Sequence, residues 1–157
     1  MGRKRARPLA ALSMGLLALA SVIGCEDSQS TGSGITLEVL AGTWEASVFA
    51  FTSQAEPPQR ADLIADGGSA TLVLSANGAY TLTVTPAGGE PDVSTGFMLI
   101  ESGFLLVADS DVPGVTTAFA MGLDGDTLTL VTNEVEFDFS GDDVEEPAIL
   151  TLVWERQ

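Results

Sequence analysis

The chain has 157 residues, with 22 acidic side chains against six basic ones, no histidine and a formal net charge of −16. Without histidine there is no Ser-His-Asp triad and no imidazole ligand for zinc. A surface this acidic repels nucleic acid and anionic headgroups, so nucleic-acid binding is excluded.

The first 24 residues differ from the rest. Arg3, Lys4, Arg5 and Arg7 are followed by an apolar run from Leu9 to Ile23. That run is shorter than the roughly 20 residues a membrane helix needs and matches the apolar region of a signal peptide. It ends in Val22-Ile23-Gly24-Cys25, and Cys25 is the only cysteine. These four residues resemble the bacterial lipobox. The alternative is an ordinary secretory signal with a chance cysteine. The resemblance implies removal of 1–24, diacylation of the Cys25 sulfur and acylation of the new amino terminus, palmitate being one such chain. Two or three acyl chains anchor firmly where one binds only marginally. It also implies a cell-envelope location facing the periplasm or the outside. Glu26, rather than Asp, follows the cysteine, which mildly favours the outer membrane.

With 1–24 gone, 133 residues remain, carrying Arg60 and Arg156 against all 22 acids, a formal net charge of −20. No lysine remains, and the one thiol is lipidated, so Schiff-base and thiol catalysis go too. Residues 25–34, Cys25 followed by EDSQSTGSG, read as a flexible tether reaching about 30 Å when extended. Residues 35–157 read as one domain.

Within that domain ITLEVL (35–40) suits a short helical turn or an extended lead-in. From Thr43 the apolar period is two, with Trp44, Ala46, Val48 and Ala50 on one face. Phe49 and Phe51 break the other face and predict a bulge or a covered patch. Pro57-Pro58 stop the strand, and Gln59–Ala65 suits a helical turn in a lid-like element. SATLVLS and AYTLTVT follow, joined at Asn77-Gly78 as a two-residue hairpin. STGFMLIE and GFLLVAD meet at Ser102-Gly103, and TTAFAMGL and DTLTLVT meet at Asp124-Gly125. EVEFDFS and AILTLVWE close the chain. Eight or nine short strands without a βαβ rhythm predict an all-β, antiparallel up-and-down barrel.

Gly42-Thr43-Trp44 at the start of the first strand resembles the G-x-W motif of lipocalins and lipocalin-like bacterial domains. LSANGAYTLTV (74–84) and GDTLTL (125–130) resemble a hairpin and a late strand of the same domains. The resemblance implies that Trp44 plugs one end of the barrel and that Arg156, beside the last strand, lies across its indole. An exposed Arg156, or one paired with a local acid such as Glu155, is the alternative.

Two functions remain open. One is a scaffold or partner-binding module of the envelope, contacting an envelope protein through loops such as 55–66 or 109–115. The other is a carrier or sensor of a small hydrophobic ligand, with Tyr80, Phe97, Phe104 and Phe137 among the inward side chains. No pair of carboxylates is singled out for glycoside chemistry, so no enzyme is expected. No cofactor is expected besides the covalent lipid. The loop carboxylates Asp109/Asp111 and Asp142/Asp143/Glu145/Glu146 leave calcium as an alternative to diffuse cation condensation.

Overall fold

The computed structural model describes residues 34–157. A single helical turn, α1 (Leu37–Leu40), precedes nine strands: β1 (Gly42–Ser53), β2 (Arg60–Asp62), β3 (Ser69–Leu74), β4 (Ala79–Thr85), β5 (Asp92–Glu101), β6 (Phe104–Asp109), β7 (Thr117–Asp124), β8 (Thr127–Phe137) and β9 (Glu146–Arg156). Each strand pairs antiparallel with the next from β3 to β9, and β1 bonds to both β3 and β9. Eight strands therefore close into a barrel, which leaves no sheet edge to pair with another chain. The ninth, β2, lies outside the ring on the distal half of β1, through Ala50↔Asp62, Phe51↔Ala61 and Thr52↔Arg60.

One strand serves β3, β9 and β2 because β1 is long and bulged. Trp44 and Ala46 face inward, and the register with β9 shifts between Ala46 and Val48. Beyond the bulge Phe49 and Phe51 pair with Leu152 and Leu150, and both pack against the core. The inward assignment of Val48 and Ala50 is thus corrected: the extra residue reverses the alternation, and fully buried Ala50, the cross-strand partner of Asp62, lies on the face opposite Phe49 and Phe51. Only Arg60–Asp62 of the β2 segment is a strand; the helical turn expected over 59–65 starts later, at Asp62, where Asp66 N donates to Asp62 O at 2.9 Å. The Asp62 carboxylate accepts from Phe49 N at 3.5 Å, Ile64 N at 3.2 Å and Ala65 N at 3.3 Å, and Arg60 pairs with it at 2.9 Å.

DTLTLVT and EVEFDFS are one strand rather than two. A second irregularity, between Thr132 and Val135, lets β8 follow β9 from Glu155 to Glu146. The Asn77-Gly78 hairpin is also wider than two residues. Ser75 N donates to Ala79 O at 2.9 Å, and Gly78 alone has the positive φ, +89°, the arrangement of a three-residue loop with a bulge glycine.

The inward residues of β5–β7 are the opposite set from the one expected. Met98, Leu105 and Phe119 are buried, whereas Phe97, Leu99 and Phe104 are 62%, 50% and 47% exposed. Ala118, Ala120 and Leu106 share their outward face. Both faces of these strands are apolar, so hydrophobicity alone cannot choose between them. Glu101, the cross-strand partner of Phe104, marks their shared face as the outward one, although Asp92 and Asp109 at the other strand ends fall on the inward face. Asp124 fixes β7 in the same way.

Inside the barrel, Tyr80 crosses the sheet partner Gly96. A Cβ on Gly96 would fall 2.8 Å from Tyr80 Cε1 and closer still to the Ala108 carbonyl oxygen. A glycine is needed there for the phenol ring to lie flat against the wall.

Candidate functional site

The base of the barrel is closed by three groups. Trp44 is fully buried, and its Nε1 donates to Leu40 O at 2.8 Å. Thr36 caps α1, and Leu40, also fully buried, enters the barrel below the indole. Arg156 is the register partner of Trp44 across the β1–β9 seam, and its guanidinium carbon lies 4.2 Å from the indole ring centroid. The same guanidinium donates from Nη1 to Ala41 O at 2.9 Å and from Nη2 to Val39 O at 2.6 Å, and Nε lies 3.5 Å from Asp126 Oδ1. Arg156 therefore joins the last strand to the first and satisfies carbonyls that end the helical turn.

Above this floor the interior is nearly filled. Leu72, Met98, Phe119, Leu130, Leu152 and Trp154, with their neighbours, enclose a cavity of about 70 Å³. Tyr80, Leu82, Val107 and Phe119 also line a shallow cup of about 270 Å³ at the opposite end, with Asp109 and Val115 at its rim. Of the four aromatic side chains proposed to touch a ligand, Tyr80 lies between cavity and cup. Phe137 stacks on Phe51 at 4.3 Å beside a second opening of about 210 Å³. Phe97 and Phe104 are on the outer wall and line neither space, for the reason of register given above. The structure thus brings Trp44 and Arg156 together, places Tyr80 and Phe137 at the mouth, and leaves Phe97 and Phe104 outside. Cys25 lies outside the described residues.

Tyr80 is the only tyrosine of the chain. Burial, then the charge of the adjacent Asp109 and its hydrogen bond, then the charge of Asp111, push its hydroxyl up to about 12. This pairing was not foreseen, because Asp109 read as a loop acid; its place as the inward-facing last residue of β6 becomes visible only once the register is known. Asp109 Oδ1 also accepts from Asp111 N at 2.7 Å. In the β8–β9 loop the carboxylate of Asp138 accepts from the backbone N–H groups of Ser140, Gly141, Asp142 and Asp143. Desolvation raises its pKa, but the four donors outweigh it and hold the group below the usual carboxylate range. These acids organise their own loops. Among the described residues no three His, Cys, Asp or Glu side chains converge as a metal cluster would.

Two outcomes follow. Arg156→Ala should lower unfolding stability by about 2–3 kcal/mol, combining a cation–π contact with two carbonyls left unpaired. Arg156→Lys should recover only part of this, both read by urea denaturation with tryptophan fluorescence; an unchanged midpoint would show that the latch is idle. Absorbance of the ionised phenol reports Tyr80 alone and should titrate near pH 12, moving down in Asp109→Asn. Because the folded value lies above the unfolded one of about 10, the stabilisation is whole below pH 10 and is lost as pH rises towards 12. A midpoint of 10 in the folded protein would contradict this placement.

No protein-family model matches the chain, and no curated protein matches it.

Proposed function

We propose that this chain is a lipid-anchored cell-envelope protein, held by acylated Cys25, whose acidic barrel serves as a scaffold or partner-binding module. The observation that carries the second half is the interior, where the open mouth cup of about 270 Å³ narrows to a cavity of about 70 Å³. Ligand pockets run to about 300 Å³ and upward. A barrel filled by its own side chains offers its outer surface and loops, not a storage space.

The distribution of polarity supports a domain that sits beside a membrane rather than through it. A transmembrane barrel has an apolar outside and a polar lumen. Here Leu72, Leu128, Leu130 and Leu152 fill the inside, while Glu134, Glu136 and Glu155 stand on β8 and β9. The absence of histidine and, beyond residue 24, of lysine supports a non-catalytic role. The lipobox-like Val22–Cys25 and the basic and apolar residues before it support the anchor.

One observation favours the second reading, a carrier or sensor of a small hydrophobic ligand. Trp154 is buried, lines the inner cavity and has an indole Nε1 with no hydrogen-bond partner. An unpaired buried donor costs about 1–3 kcal/mol. An apolar ligand carrying one acceptor atom would remove that cost by entering through the cup.

The anchor is tested by expressing the full chain in a bacterium and comparing it with Cys25→Ser. The unaltered chain should fractionate with membranes and have the mass of residues 25–157 plus acyl groups, and the variant should move to the soluble fraction. An unaltered chain without acyl groups would overturn the reading.

A further inference from the structure

The acids are not spread evenly over the barrel. In β4, β5, β6 and β7 the charged residues are Asp92, Glu101, Asp109 and Asp124, and each is the first or last residue of its strand. Between those ends the four strands contribute no charged residue, in a chain of formal net charge −16, and the acid that reaches their wall is Glu134 of β8, whose carboxylate accepts from Ala118 N at 3.1 Å. The outward residues of that wall include Phe97, Leu99 and Phe104, all about half exposed or more. They form one patch: Leu99 is two residues from Phe97 on the same face, its cross-strand partner is Leu106, and Phe104 is two residues from Leu106. Isolated exposed apolar residues are ordinary, but a contiguous group on one wall marks a contact surface.

The position of this wall identifies its occupant. Phe104 and Leu99 adjoin the Ser102-Gly103 turn at the base rim, the same rim at which the chain enters through α1. Met98 N donates to Gly78 O at 2.7 Å, and Leu37 of α1 lies against Gly78, so Phe97 is close to the first described residues. The nine residues between Cys25 and Ile35 span at most about 30 Å. An acylated Cys25 therefore keeps the base of the barrel within that distance of the bilayer, at high effective concentration. The walls bearing Glu45, Glu134, Glu136 and Glu155 would be repelled by anionic headgroups. The β5–β6 wall is the apolar one, with a single acid, Glu101, at its base end beside Phe104.

We propose that the outer wall of β5 and β6, led by Phe97, Leu99 and Phe104, is a membrane-docking face that seats on the lipid surface to which Cys25 anchors the chain. This rests on the reading of Cys25 as the anchor. The barrel then lies with its β5–β6 side on the interface and Glu101 at the border of the contact, its acidic β8, β9 and β1 wall turned to water, and its mouth free for a partner. The chemistry is that of apolar side chains entering the boundary between headgroups and acyl chains, with no basic residue involved.

The test uses the full acylated chain in phosphatidylcholine vesicles containing a lipid with a nitroxide near the headgroup. Because acylation occupies the one native thiol, Leu99→Cys or Ser47→Cys each supplies one site for a fluorophore. Residue 47 is exposed on β1, which is four strands from β6 around the ring. The nitroxide should quench the label at 99 roughly threefold more than the label at 47, as expected for insertion at the interface. Adding Phe97→Ser and Phe104→Ser to the Leu99→Cys chain should abolish the difference. Equal quenching at 99 and 47 in protein of acylated mass overturns docking and leaves the anchor standing. Shielding of the 99 label without vesicles, lost on dilution, assigns the wall to a second copy and overturns docking as well. A mass lacking acyl groups overturns the anchor and this inference with it.

Discussion

The contact between Arg156 and Trp44 is the constraint on which the rest of the barrel depends. A sheet of eight strands closes only if its first and last strands meet, and these two residues are partners in that seam. The indole is fully buried and cannot be so without a partner for its N–H, which Leu40 O provides. The guanidinium covers the ring and holds the carbonyls of Val39 and Ala41. Helical turn, floor and seam are therefore one unit. Removing the turn takes from the buried indole N–H its partner, and removing Arg156 takes the cation from the ring and the donor from the half-buried Ala41 carbonyl.

From that floor upward the barrel is filled by large side chains. Trp154, Phe49, Phe51, Phe137 and Phe139 form a continuous aromatic series from interior to mouth, with successive centroids between 4.3 and 6.5 Å apart. Tyr80 occupies the room that Gly96 leaves, and the interior space that remains is about 70 Å³. A filled core gives a rigid body of fixed outline. What varies over that body is its exterior: an acidic side, an apolar side bordered by Glu101 and Glu134, and a mouth framed by loops that Asp62 and Asp138 hold through backbone hydrogen bonds.

Much of the fold was legible because alternation, turn residues and spacing agreed over β3, β4 and β9. The disagreements are local and physical. A bulge at Ser47 reverses alternation within β1, so the pattern of its first half misassigns Val48 and Ala50. β5–β7 are apolar on both faces, and the acids at their ends disagree, Glu101 and Asp124 lying outward and Asp92 and Asp109 on the inward face. An antiparallel strand with two apolar faces is read poorly by composition, and that ambiguity is what placed Phe97 and Phe104 inside. The same exposure makes them a candidate surface. The Tyr80–Asp109 pair was hidden because it depends on the stagger between β4, β5 and β6, which no single segment contains. Trp44 and Arg156 were readable as a pair through the G-x-W resemblance; far apart in the chain, they face each other across the closing seam.

The central claim is that this protein acts through the outside of a filled, latched barrel. It is tested most directly by native mass spectrometry of the acylated chain, released from its own membranes in mild detergent. The account predicts the mass of residues 25–157 with covalent acyl groups and nothing held within. A hydrophobic molecule retained at one copy per chain, and lost when Tyr80 is replaced, would contradict it and make the barrel a carrier.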